Sequence, residues 1–197
     1  MRYSPSVRTV AVAVCVSVCL HAGRFVQAIT LVRSGSSDYS IVIPHDAIPA
    51  EHTAARELAD HLERMSGVRL PIAKDSDFSG PHGIFLGHTR QLAKLRVQPD
   101  WSTLGKEGYL LRTAGEHVII AGGRPRGTLY GVYWLLEKYL GCRWFTPDTT
   151  VIPRRATVSL PDLDFTGRPA FEYREPWMFI GWGGRVSRWW CDNFSQE

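Results

Sequence analysis

Residues 117–147, HVIIAGGRPRGTLYGVYWLLEKYLGCRWFTP, put a strand, a glycine turn and a buried helix into one block. His117 to Ala121 is an apolar, β-branched run of strand length. Gly122 and Gly123 break it, and Pro125 suits the first turn of a helix, where its missing N–H costs nothing. Leu129, Val132, Tyr133, Leu136 and Leu140 then recur at helical spacing, and Gly141 supplies a left-handed stop. Cys142 to Phe145 leads back toward the core and Pro147 ends the block. A helix carrying Leu129, Tyr130, Tyr133, Trp134, Leu136 and Tyr139 can hide that surface only in a packed domain, so the remaining chain is expected to cover it.

The order of the remaining elements sets the fold class. Ile29–Arg33 and Tyr39–Ile43 read as short strands around a Gly-Ser-Ser-Asp turn, paired as a hairpin or lying at an edge. Pro49 opens a helix whose stripe is Ala54, Ala55, Leu58, Leu62 and Met65, with Glu51, Arg56, Glu57 and Arg64 toward water and Gly67 as its cap. Further strands are expected over 69–73 and 83–87, then a helical turn over 88–95 and a loop over 98–104 holding Trp101. Tyr109–Thr113 and His117–Ala121 form a hairpin, and 151–153 and 156–160 are late short strands. Hairpins and a crossover through the first helix together imply a single α+β domain: a mixed sheet with two main helices packed mainly on one face.

The run EGYLLRTAGEHVIIAGGRPRGTLYGVYWLLEKYLGCRWFTPD resembles the accessory domain that precedes the catalytic barrel in secreted glycoside hydrolases, above all the amino-terminal domain of α-glucuronidases. A similar domain precedes the barrel of β-N-acetylhexosaminidases. The likeness covers roughly residues 38–177, and its most specific part is the strand–GG–R–helix–LGCRWF block. It implies an accessory domain over 29–160, a linker over 161–169, and the first strand of a (β/α)8 barrel in 170–197, around FEYREPW. A barrel needs about 250 residues, so a chain ending at Glu197 is expected to stop before one could form. The resemblance implies a non-catalytic domain that packs against the barrel of an exported, α-glucuronidase-like enzyme of xylan-type polysaccharide degradation. The alternative is a stand-alone carbohydrate-binding or interaction module. Oligomeric state, sugar and linkage are not set by these residues.

Residues 1–28 read as a signal peptide: Arg2 and Arg8, an apolar stretch from Val10 to Leu20 too short to span a bilayer, and a cleavage site ending at Ala28. An exported, periplasmic or extracellular protein without a stable membrane span follows. Of the 23 Lys and Arg, three lie in that segment, which leaves 20 against 19 acidic residues. That balance excludes the clustered basic footprint of a nucleic-acid binder. Two cysteines remain beyond the segment; Cys142 and Cys191 either pair, as export permits, or Cys142 stays a buried thiol.

No catalytic residue is assigned, because the acids form no pair of the kind glycosidases place across a scissile bond. His45, His52, His61, His82, His88 and His117 show no metal spacing and read as surface or loop residues. No G-x-G-x-x-G or G-K-[ST] motif occurs, so no metal or cofactor is expected. Gly122, Gly123, Arg124 and Arg126 open a helix, where N–H groups, the helix dipole and two guanidiniums can hold a uronate carboxylate; a tight turn with solvated arginines is the other reading. The resemblance to hexosaminidases adds Arg174, in the place of a sugar-contacting arginine of the first barrel strand, against an ion pair with Glu172 or Glu175. Trp177, Trp182, Trp189 and Trp190 are either a sugar platform or barrel core.

Overall fold

The computed structural model of the chain describes residues 28–146 and 148–170. Its frame is a six-stranded sheet in the order β10-β5-β6-β4-β2-β3. The strands are β2 (Tyr39–Ile43), β3 (Ile72–Lys74), β4 (His82–Leu86), β5 (Tyr109–Ala114), β6 (His117–Gly122) and β10 (Asp164–Gly167). Strands β3, β2, β4 and β6 run parallel, and β5 and β10 continue the sheet antiparallel. The class is thus α+β with a mixed sheet.

Alternation along the strands assigns the two faces. Ile41, Ile43, Ile84, Leu86, Val118 and Ile120 point into the main core, while Val42, Phe85, Ile119 and Ala121 point to the other side. Helices α1 (Pro49–Ser66) and α4 (Gly127–Trp134) lie on the first face, and α4 continues through a wider π-helical turn, Leu135–Tyr139. The smaller cluster on the second face is closed by Leu92, Val97 and their neighbours around the short helix α2 (Gln91–Lys94). Both faces are covered, which is why β2, β4 and β6 read as unbroken apolar runs. Helix α1 buries Ala54, Ala55, Leu58, Ala59, Leu62 and Met65, starts with Pro49, and ends at Gly67, whose N–H donates to Glu63 O at 2.7 Å.

Several expectations change. Strand β1 (Ile29–Arg33) does not pair with β2; it pairs antiparallel with β9 (Thr157–Leu160), and β2 is an interior strand between β4 and β3. A partner this remote in sequence outcompetes the adjacent one because both faces of β2 are apolar and need interior burial. The strand expected over 69–73 forms at Ile72–Lys74, and the loop holding Trp101 contains a helical turn, α3 (Trp101–Leu104), whose amino end is capped by Asp100. The stretch read as a linker carries β10, which pairs with β5 and stacks Phe165 on Trp134 at 5.0 Å. Cys142 enters the core as expected, but the strands that follow, β7 (Arg143–Thr146) and β8 (Thr149–Val151), form a separate hairpin with Phe145 68% exposed. Among the described residues no helix is long and apolar enough to cross a membrane.

Candidate functional site

The carboxyl ends of the parallel strands share one rim of the sheet, the place where open α/β sheets present ligand-contacting groups. The chain leaves β2 there through His45 and Asp46, β4 through Gly87 and His88, and β6 through Gly123 and Arg124.

Arg124 spans two carboxylates at this rim. Its Nε donates to Glu51 Oε1 at 3.3 Å, its Nη2 to Glu51 Oε2 at 3.2 Å, and its Nη1 to Asp46 Oδ2 at 3.5 Å. Burial works against the guanidinium's charge; the hydrogen bonds and charge of Glu51, joined by Asp46, more than offset it and raise its pKa. Glu51 itself is 1% exposed, and its Oε2 also accepts the Ile48 N–H at 3.0 Å. The first turn of α1 is thereby closed by a buried carboxylate rather than by a water-facing one. Gly87, with φ +71°, lies against that carboxylate, and a Cβ there would overlap it.

Arg126 is engaged too, its Nη2 lying 3.0 Å from Glu107 Oε1. The N–H groups of the turn are used as well: Gly123 donates to Gly108 O, Arg126 to Lys106 O and Gly127 to Gly123 O. Gly123 packs on the Gly105 carbonyl so closely that any side chain would drive into it. The arrangement therefore locks the β6–α4 turn to the start of α1 and to the 105–108 loop. Both arginines named from the sequence come to this rim, each facing carboxylates of its own chain. Arg174 and Cys191 lie outside the described residues, as do the four late tryptophans. Among the described residues Cys142 is buried and has no disulfide partner, and burial pushes the pKa of its thiol up to about 11.

Other residues at the rim were not singled out from the sequence. The His88 ring stacks on Trp101 at 3.8 Å, and its Nε2 donates to Gly122 O at 3.0 Å. Trp101, 37% exposed, turns an aromatic face outward beside it. The fully buried carboxylate of Asp75 accepts the His45 N–H through Oδ1 and the Arg90 N–H through Oδ2, both at 2.9 Å, and ties the loops after β2 and β4 together. The third position of α1 was a legible signal for Glu51, since a glutamate there closes a helix start; no local pattern marks Asp75. His61, read as a surface or loop residue, is buried on α1 beside Trp144. Among the described residues no group of three or more His, Cys, Asp or Glu converges to hold a metal.

At the opposite rim, a polar cavity of about 480 Å³ is lined by Arg33, Asp38, Tyr39, His82 and Glu116 among others. Tyr39 stacks on His82 at 5.2 Å and donates its hydroxyl to Glu116 O at 2.8 Å. Burial, then the Glu116 charge, pushes the Tyr39 pKa up to about 12.

Residues 31–135 match the family model described as the glycosyl hydrolase family 67 N-terminus. The chain is 31% identical over 86 residues to a probable α-glucuronidase A of Aspergillus terreus, covering 43% of this chain and 10% of that protein. It is 30% identical over 105 residues to α-glucuronidase A of Emericella nidulans, covering 50% of this chain and 12% of that one. The chain thus spans about a tenth of the length of these relatives. A solved family GH115 4-O-methyl-α-glucuronidase, described as specific for decorated arabinogalactans, shares the fold with TM-score 0.51 at 17% identity, over 74% of this chain and 19% of that one.

Proposed function

Because the chain belongs to the family of glycosyl hydrolase family 67 N-terminal domains, we propose that it is the non-catalytic front domain of an exported α-glucuronidase-like enzyme, packing against a catalytic barrel and shaping one wall of its cleft. The match over residues 31–135 carries this reading. The exposed apolar side chains of the β7–β8 hairpin support it: Phe145 and Val151 stand open beside Trp144, which rests on Tyr133 of α4 at 5.3 Å. Such an apolar surface suits a neighbouring domain. The substrate class implied is a uronate-bearing plant polysaccharide of the xylan type, met outside the cytoplasm after cleavage near Ala28.

A second reading, a carbohydrate-binding module without hydrolysis, is favoured by the polar cavity at Tyr39 and His82. Incubating the purified chain with glucuronoxylan oligosaccharides separates a catalytic from a non-catalytic role. No release of glucuronic acid is expected, and release that survives re-purification would overturn the assignment. Mass spectrometry of the exported protein should find its first residue just after Ala28.

A further inference from the structure

Arg69, Arg90, Arg112, Arg124 and Arg126 each face a carboxylate of their own chain. Among the described residues Arg64, Arg154 and Arg155 do not, and neither do Arg33, Arg56, Arg96, Arg143 and Arg168; what sets the first three apart is that they line a single groove of about 510 Å³ at the carboxyl end of α1. Glu63 also borders it, but Glu63 is held by Arg69 at 2.5 Å, together with Asp60. Ser66, Gly67 and Ala156, also in its lining, are small and leave the guanidiniums open. The groove is anchored, since the Arg155 N–H donates to Met65 O at 2.9 Å and fixes its segment to the end of α1.

The dipole of α1 favours one cation near its last turn, which accounts for Arg64. It does not account for two further guanidiniums brought to the same groove by a segment about ninety residues later. Unpaired like charges held together repel, and an anion relieves that. Arginine forks match carboxylates two bonds at a time.

We propose that this groove binds an acidic glycan, its uronate carboxylates taken by Arg64, Arg154 and Arg155. The choice of a glycan rests on the carbohydrate reading above; the convergence of unpaired guanidiniums does not. A nucleic acid fits less well, because the cluster is compact and the chain beyond residue 28 carries 20 basic against 19 acidic residues.

Affinity electrophoresis of the whole exported protein tests this, in gels containing glucuronoxylan, the same polymer with its carboxyls reduced to alcohols, or duplex DNA. Wild type should be retarded by glucuronoxylan alone, and less so as salt rises. R64Q/R154Q/R155Q should bind about tenfold more weakly or worse, and R64K/R154K/R155K should fall between. All three side chains are exposed, so the variants should stay folded, with the glutamine variant's thermal midpoint lowered only slightly by the loss of Arg64 at the end of α1. Equal retardation by the reduced polymer, or an unaffected glutamine variant, would sink the arginine site while leaving carbohydrate binding standing. No retardation by either polymer would overturn the site and remove support for a binding module. Equal retardation by DNA would overturn the choice of glycan.

Discussion

The Glu51–Arg124 pair shows how a charged residue is fixed by its neighbours rather than by its own type. On a helical wheel Glu51 faces water; in the fold it is buried because Arg124, Gly87 and the Ile48 N–H surround it. The residues that enclose it come from three separate segments, so their meeting was not legible locally. The glycines of the β6–α4 turn were legible, and each admits a close backbone: Gly123 the Gly105 carbonyl, Gly122 the start of α4 at Gly127 and Thr128. Arg124→Ala leaves a buried carboxylate short of its charged partner and should cost about 2 kcal/mol in urea unfolding. Arg126→Ala should cost less, since Glu107 keeps some contact with water. A double-mutant cycle with Glu51→Gln should return a coupling that the Arg126 variant lacks.

At the scale of elements, local signals did well where the partner was near in sequence. The β5–β6 hairpin and helix α1 from its proline to its glycine follow from turn chemistry and periodicity, as does the apolar run of α4, but α4 starts at Gly127 and Pro125 lies in the turn before it rather than in its first turn. They failed where the partner was distant: β1 finds β9, and β10 completes the sheet from a stretch that looks like a linker. The polar register of β10 hides its contribution, which comes largely from Phe165 lying flat on Trp134 and near Tyr109. Phe165→Ala should therefore destabilise the domain by about 2 kcal/mol. Thermal unfolding would check it; a change within about 0.5 kcal/mol would mean that β10 is not part of the cooperative unit.

For the whole molecule, several buried groups titrate in the same sense. Burial raises the pKa of Cys142 to about 11 and those of Tyr39 and Tyr109 to about 12, and raises Tyr133 further. Each folded value lies above its unfolded one, so their stabilisation is complete below the unfolded values of 9.0 for the thiol and 10.0 for the phenols. It is lost as pH rises through the folded values, because unfolding then releases protons. The thermal midpoint should fall steadily from about pH 9 to about pH 12, and Cys142→Ala should flatten the first part of that fall. A flat profile across that window would contradict the burial of these groups. The pairing of β1 with β9 has a mechanical consequence. Ile29 and Leu160 sit opposite each other at one end of the ladder, so tension applied between them reaches the rungs one after another. The pair opens like a zipper, and as its rungs part the buried side chains of Leu160, Leu31, Val32 and Val158 are drawn out of the core behind it.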